Sequence, residues 1–166
     1  MHDVLFRRAR LIDGAGAESR IADVLIDGDA IIAISDPDQP FGPSIAREVI
    51  DCEGLVLSPG FIDVHTHDDA QVLRDPGMLA KLSQGVTTVI TGNCGLSLVP
   101  LVTTAPESPL DLLHTTEFRF PQLNDYAKAL ADSPSAVNVG ALIGHTTLRA
   151  TAMTDLSRAA NAGEIE

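Results

Sequence analysis

The chain has 166 residues, 45% of them hydrophobic, and a formal net charge of -12 at pH 7. This length and composition allow a buried core and exclude disorder of the whole chain. The acidic balance gives no electrostatic reason to bind phosphate backbones or an anionic membrane surface, so we expect no nucleic-acid or membrane partner.

Export signals and disulfide patterns are absent from the sequence. The first eight residues contain no apolar run behind basic residues, as a secretory signal would. No stretch reaches the roughly 20 apolar residues of a membrane span. The two cysteines, Cys52 and Cys94, are too few for a disulfide framework. We therefore expect a reduced, cytoplasmic protein in which Cys52 is a packing residue.

Residues 1–57 predict a small antiparallel β domain. Short β-branched and apolar runs occur at residues 4–6, 22–26, 31–34 and 48–50. Asp27 and Gly28 between the two middle runs are typical of a tight hairpin turn, because Asp-Gly readily adopts positive φ. Three prolines in residues 35–44 predict an exposed loop.

Residues 58–166 change to strands that alternate with helices, which predicts an α/β fold. We expect strands at residues 61–67, 86–91 and 136–143, and helices at 77–84, 124–131 and from 155 onward. Gly85 suits the left-handed position that follows a helix. This order is typical of parallel βαβ units. A complete eight-stranded barrel needs about 250 residues, so three βα units of a truncated barrel fit here, and a short doubly wound domain is the alternative.

Two histidines and a cysteine follow predicted strands. His65 and His67 alternate along one strand, so both imidazoles and Asp63 face the same side, where Asp63 is a candidate acceptor behind the ligands. Alone, such a pair is more often a surface feature. Cys94, however, follows the next strand, and parallel strands bring their carboxyl ends to one edge. Zinc accepts mixed nitrogen and sulfur ligands, which predicts a metal site; an inert buried thiol is the other interpretation of Cys94.

These motifs carry a family resemblance. Residues 59–69, PGFIDVHTHDD, resemble the metal-binding signature of the amidohydrolase superfamily. Residues 85–95, GVTTVITGNCG, resemble its D-aminoacylase branch, the N-acyl-D-amino-acid deacylases, in which the second strand presents a metal-ligating cysteine. Residues 137–149 extend the likeness. The resemblance implies a (β/α)8 barrel beside a small N-terminal β-sandwich-like domain, here residues 58–166 and 1–57.

The resemblance also implies an activity. It predicts zinc-dependent hydrolysis of a small-molecule N-acyl-D-amino acid to a carboxylate and a free D-amino acid, with zinc as the cofactor. By position, Cys94 helps to hold the tightly bound zinc, and His65 and His67 belong to an adjacent, weaker metal position. Two further histidines and a general-base aspartate come from later strands, beyond Glu166. We therefore expect the chain alone to be inactive.

Several alternatives stay open at this point. Another amidohydrolase, such as a cyclic amidase or a deaminase, and a non-catalytic truncated product are the competing functions. His145, after the third predicted strand, either lines the pocket or makes a structural hydrogen bond. The acidic pair Asp68 and Asp69 serves either the site or a helix N-terminus. His2 and His114 are expected to be solvated.

Overall fold

Short apolar strands build a five-stranded sheet in the first of two units, Met1–Pro59. The computed structural model describes residues 1–165. The strands of this unit are β1 (His2–Leu11), β2 (Arg20–Asp27), β3 (Ala30–Ile34), β4 (Ala46–Asp51) and β5 (Val56–Leu57). Strands β1, β2 and β3 pair antiparallel, and Gly28, at φ 58°, lies in the predicted two-residue turn between β2 and β3.

The prediction of a wholly antiparallel sheet is wrong, because the sheet is mixed. Both β4 and β5 run parallel to β1. No hairpin turn connects β3 to β4. The chain instead passes through the proline-containing loop and a 3-10 turn, Pro43–Ile45, and returns in the direction of β1. A loop of this length leaves strand direction open, so local sequence signals could not decide it.

Each face of this sheet carries a small apolar cluster. Leu5 and Leu25 are paired and buried on one face, and Val24 and Leu11 are buried on the other. This arrangement follows from the alternation of side chains along a strand. The described residues of this unit form one sheet, with apolar residues on both faces.

The second unit, from Gly60 onward, contains a three-stranded parallel sheet. Its strands are β6 (Phe61–Thr66), β7 (Val86–Thr91) and β10 (Asn138–Ala141), in the order β10-β7-β6. The observed β7 matches the predicted strand, whereas β6 and β10 are shorter than predicted. An antiparallel pair that the sequence did not predict, β8 (Leu101–Thr103) and β9 (Phe118–Phe120), lies between β7 and β10 along the chain.

The helices differ more from prediction than the strands do. They are α1 (Gln71–Arg74), α2 (Leu79–Leu82), α3 (Leu123–Asp132), α4 (His145–Ala152) and α5 (Ala162–Ile165). The helix predicted at residues 77–84 is confined to α2, and Gly85 follows it at φ 78° as expected. Helices α1 and α4 were not predicted, and the last predicted helix begins at Ala162, not at residue 155. Glu166 lies outside the described residues.

The core of the second unit forms where helix α3 and the β8–β9 pair pack with the parallel sheet. Val89 of β7 is fully buried, and the rings of Phe120 and Tyr126 meet edge to face at 5.2 Å. Tyr126 donates a hydrogen bond from its hydroxyl to the backbone oxygen of Asp69 at 2.8 Å. Over residues 1–165, no helix combines the length and the apolarity that crossing a bilayer requires.

Candidate metal centre

The His-Thr-His segment lies at the carboxyl end of β6. His65 belongs to the strand and His67 directly follows it, and both side chains are exposed. Their ring centroids are 5.8 Å apart at an interplanar angle of 70°. The imidazoles therefore lie side by side at one strand end.

Cys94 approaches these rings from the turn after β7. Gly92 opens this turn at φ 81°, and a Cβ atom there would lie 2.1 Å from the backbone oxygen of Leu142, so a larger residue is excluded. The turn presents the exposed Cys94 Sγ at 3.2 Å from Nε2 of His67. Both cysteines are free, and Cys52 is buried as predicted. Burial raises the pKa of the Cys52 thiol.

The three side chains form a donor set of two nitrogens and one sulfur. One ligand atom from each of His65, His67 and Cys94 lies within 4.8 Å of the other two. Zinc bonds of about 2.0–2.3 Å at tetrahedral angles place neighbouring donor atoms about 3.5 Å apart. The observed distance of 3.2 Å between Cys94 Sγ and His67 Nε2 is close to that value. Imidazole and thiolate together suit a borderline-soft divalent cation, so the residues present fit such an ion.

A lysine that the sequence motifs do not predict as part of the site contacts the carboxyl end of β6. Lys81, on α2, places its Nζ 2.7 Å from Oδ2 of Asp63, 2.9 Å from Oδ2 of Asp68 and 3.1 Å from Oγ1 of Thr66. Burial alone would lower the pKa of Lys81, but the hydrogen bonds and charges of the two aspartates raise it overall. A signal was available, because Lys81 is one of only two lysines in the chain and follows an acidic strand end.

Asp63 contacts the backbone of the ligand strand. Its Oδ2 accepts the bond from Lys81, and its Oδ1 accepts the backbone N–H of His65 at 3.2 Å. The hydrogen bond from Lys81 is the main reason that the pKa of Asp63 is lowered. Asp63 thus acts on the peptide that carries His65. A role of Asp63 behind the imidazole rings stays a prediction.

Asn93 joins the cysteine turn to the histidine strand. Its Nδ2 donates to the backbone oxygen of Val64 at 2.8 Å. Val64 immediately precedes His65, and Asn93 immediately precedes Cys94. One side-chain amide therefore links the two segments that carry the candidate ligands.

The acidic pair after His67 divides into two environments. Asp68 is ion-paired with Lys81. Asp69 is 2% exposed, and its Oδ2 has no hydrogen-bond partner among residues 1–165. Burial raises the pKa of Asp69 from its ordinary value of 3.8 to about 6, and backbone N–H groups offset this only partly. Asp68 therefore belongs to the polar cluster at the edge, whereas Asp69 lies in the core.

The remaining histidines lie outside the donor group. His145 is the first residue of α4, is exposed, and lines a surface hollow with Arg149 and Glu164. A pocket role for His145 stays a prediction. His114 is exposed, as expected, but it shares a second hollow with His67 and Arg74. His2 contacts Asp27 at 3.1 Å.

Comparison with known proteins identifies the family of the chain. A family model described as "Amidohydrolase family" matches residues 48–166. The chain is 50% identical over 163 residues to the N-acyl-D-aspartate deacylase of Alcaligenes xylosoxydans xylosoxydans, covering 98% of this chain and 32% of that relative. The chain thus spans about a third of the length of the curated relatives it matches.

Two solved structures are similar over nearly the whole chain. One is a D-aminoacylase described for its binuclear metal centre, with 49% identity, a TM-score of 0.92, and coverage of 99% of this chain and 34% of that one. The other is an N-acyl-D-glutamate deacylase from Bordetella bronchiseptica in complex with zinc and a phosphonate inhibitor, with 38% identity, a TM-score of 0.85, and coverage of 98% and 34%. With the family model matching most of its length, the chain belongs to the amidohydrolase family.

Proposed function

We propose that this chain carries part of the zinc centre of an enzyme that hydrolyses the amide bond of N-acyl-D-amino acids. Water adds to the acyl carbon, the carbon–nitrogen bond breaks, and the products are a carboxylate and a free D-amino acid. The observation that carries this proposal is the approach of the ligand atoms of His65, His67 and Cys94 to within 4.8 Å of one another. The chain's similarity to N-acyl-D-amino-acid deacylases, and to relatives whose structures contain metal centres, supports the proposal.

The donor set defines what the chain contributes. A zinc ion, when bound, lowers the pKa of a water molecule and polarises the acyl carbonyl. In our proposal Cys94 helps to hold the tightly bound ion, and His65 and His67 serve an adjacent, weaker position. Asp63 and Lys81 keep the end of the histidine strand in place through the contacts described above.

The second unit is proposed to be the first three βα units of a (β/α)8 barrel. The parallel order β10-β7-β6 supports this assignment, because consecutive parallel strands are neighbours in such a barrel. Ile62 and Val64 of β6 are 61% and 58% exposed, which suits side chains that further elements of a barrel would cover. The first unit is proposed to be part of a β-sandwich. A cytoplasmic setting stays a prediction.

Cobalt titration of this chain tests the metal centre. Cobalt(II) bound to a thiolate gives a charge-transfer band, so the wild-type chain should show this band and Cys94→Ser should lose it. Cys52→Ser is the matched control and should behave as wild type, because Cys52 is buried and distant in sequence from the donor group. A band retained in Cys94→Ser, or absent from the wild type, would contradict the proposed site.

Turnover assays test the reaction. The protein from the complete reading frame that encodes this chain should hydrolyse N-acetyl-D-amino acids and leave dihydropyrimidines intact. The reverse preference would favour a cyclic amidase. Residues 1–166 alone should be inactive, since two further histidine ligands and the general-base aspartate are expected outside them. Robust hydrolysis by residues 1–166 alone would refute that expectation.

A further inference from the structure

We propose that Asn93 is a positioning residue that holds the peptide group before His65 at a defined distance from the Cys94 turn. This inference rests on the proposed metal centre for its functional meaning, but its geometry stands on contacts within the protein. The key contact is the hydrogen bond from Asn93 Nδ2 to the backbone oxygen of Val64 at 2.8 Å.

Strand pairing does not hold the histidine segment at this point. The β6–β7 ladder pairs Asp63 with Val89 and Thr66 with Thr91, and its register shifts between these two pairs. Val64 and His65 lie inside the shift and have no ladder partner in the part of the chain that the structure describes. The orientation of their shared peptide group is therefore set by other contacts.

Two side chains supply those contacts. The N–H of His65 donates to Asp63 Oδ1 at 3.2 Å, and the carbonyl of the same peptide group, on Val64, accepts from Asn93. Both polar groups of one peptide are thus bound by side chains. Asp63 is itself fixed by Lys81, whereas Asn93 comes from the turn that presents Cys94. Asn93 therefore couples the position of the thiol to the direction of the His65 side chain.

Hydrogen exchange on the metal-free chain tests the geometry. Asn93→Ala and the near-isosteric Asn93→Asp, which lacks the donor, should both speed exchange of the backbone amides at residues 64–67, by about tenfold for the loss of one hydrogen bond. Asn138→Ala is the matched control. Asn138 is also exposed and also donates to a carbonyl of this sheet, that of Thr87 at 3.3 Å, but from the opposite strand end. It should leave the exchange of residues 64–67 unchanged.

Cobalt titration of the same variants tests the functional meaning. We expect cobalt affinity to fall by about tenfold in Asn93→Ala, as for other groups that orient metal ligands, and to stay within about twofold of wild type in Asn138→Ala. A general loss of stability would speed exchange across the whole sheet, so faster exchange everywhere would overturn the proposal. Unchanged exchange at residues 64–67 would overturn it as well.

The experiments distinguish a wrong metal centre from a wrong role for Asn93. If the wild-type chain binds no cobalt, the metal centre is wrong, and the exchange comparison still decides whether Asn93 positions the His65 peptide. If the wild type binds cobalt and Asn93→Ala binds it equally tightly with an unchanged charge-transfer band, the metal centre stands and the positioning role of Asn93 is refuted.

Discussion

Each unit of the chain buries an aspartate, and the two carboxylates have opposite surroundings. Asp23 and Asp69 are both 2% exposed. Asp23 accepts the backbone N–H groups of Arg8 and Phe41, each at 2.9 Å, and the guanidinium of Arg7 lies 3.9 Å away. Within residues 1–165, Oδ2 of Asp69 has no hydrogen-bond partner, and backbone N–H groups compensate only partly for the burial of the carboxylate. A buried carboxylate that accepts enough hydrogen bonds is part of a scaffold, whereas one that is only partly hydrogen-bonded carries a cost that folding must offset.

The surroundings of Asp23 follow from an irregularity in β1. The register of β1 against β2 shifts between Phe6 and Ala9, and Arg8 has a φ of 59°. Such a bulge leaves an N–H outside the ladder. Asp23 accepts the N–H of Arg8 and so compensates for this loss. The two backbone N–H groups beside Asp23 are thereby satisfied within the first unit, whereas the buried Nε of Arg7 has no hydrogen-bond partner within residues 1–165.

The largest effect is expected from Asp23→Ala. It leaves the N–H groups of Arg8 and Phe41 without acceptors, so the free energy of unfolding should fall by about 3–5 kcal/mol. Urea unfolding of the chain measures this loss. Asp29→Ala, in the exposed turn after β2, is the control and should change little. A small loss at Asp23 would mean that water replaces the carboxylate, and the contrast with Asp69 would disappear.

Asp69→Asn should change the pH dependence of stability. The native state raises the pKa of Asp69 from 3.8 to about 6, so the folded chain binds this proton more tightly than the unfolded chain. Stability therefore falls as pH rises between these values, by roughly 3 kcal/mol in total. Asp69→Asn should remove this component of the pH profile, and Asp75→Asn, at an exposed position, should keep it. An unaltered profile in Asp69→Asn would show that Asp69 is not the group responsible.

Lys81→Met should show the opposite pH dependence. The pKa of Asp63 is lowered, chiefly by its hydrogen bond from Lys81, so this contact stabilises the fold above the ordinary pKa of Asp63 and is lost on acidification. We expect a loss of about 1 kcal/mol near neutral pH, since the group is partly exposed, and a smaller loss in acid. Urea unfolding at two pH values measures it. A loss that does not shrink in acid would rule out the ion pair as its cause.

The smallest effect is expected at an exposed pair of the second unit. Lys128 and Asp132 are one helical turn apart on α3, at 2.6 Å. Solvent screens such pairs, so Lys128→Met should cost at most about 0.5 kcal/mol. This variant calibrates Lys81→Met, because both remove a lysine that contacts aspartate. Equal losses at both positions would show that partial burial adds nothing at Lys81.

Much of the fold was predictable because strands and tight turns have recognisable local sequence patterns. Strand β7 has the predicted bounds, and the turn at Gly28 follows from its conformational freedom. The direction of β4 was not predictable, since the loop before it permits either direction. Helix α4 was missed because His145 and its neighbours resemble a loop after a strand. Helices α1 and α2 are too short for a periodic pattern to indicate their ends.

By itself the sequence determined the types of chemistry that this chain can carry: two alternating histidines at a strand end, a cysteine after the next strand, and a family motif around them. Tertiary structure alone decided which side chains support them. Lys81 meets Asp63 across 18 residues, and Asn93 meets Val64 across 29. Such contacts depend on strand register and on an irregularity in the ladder, and these arise only when distant segments pack together.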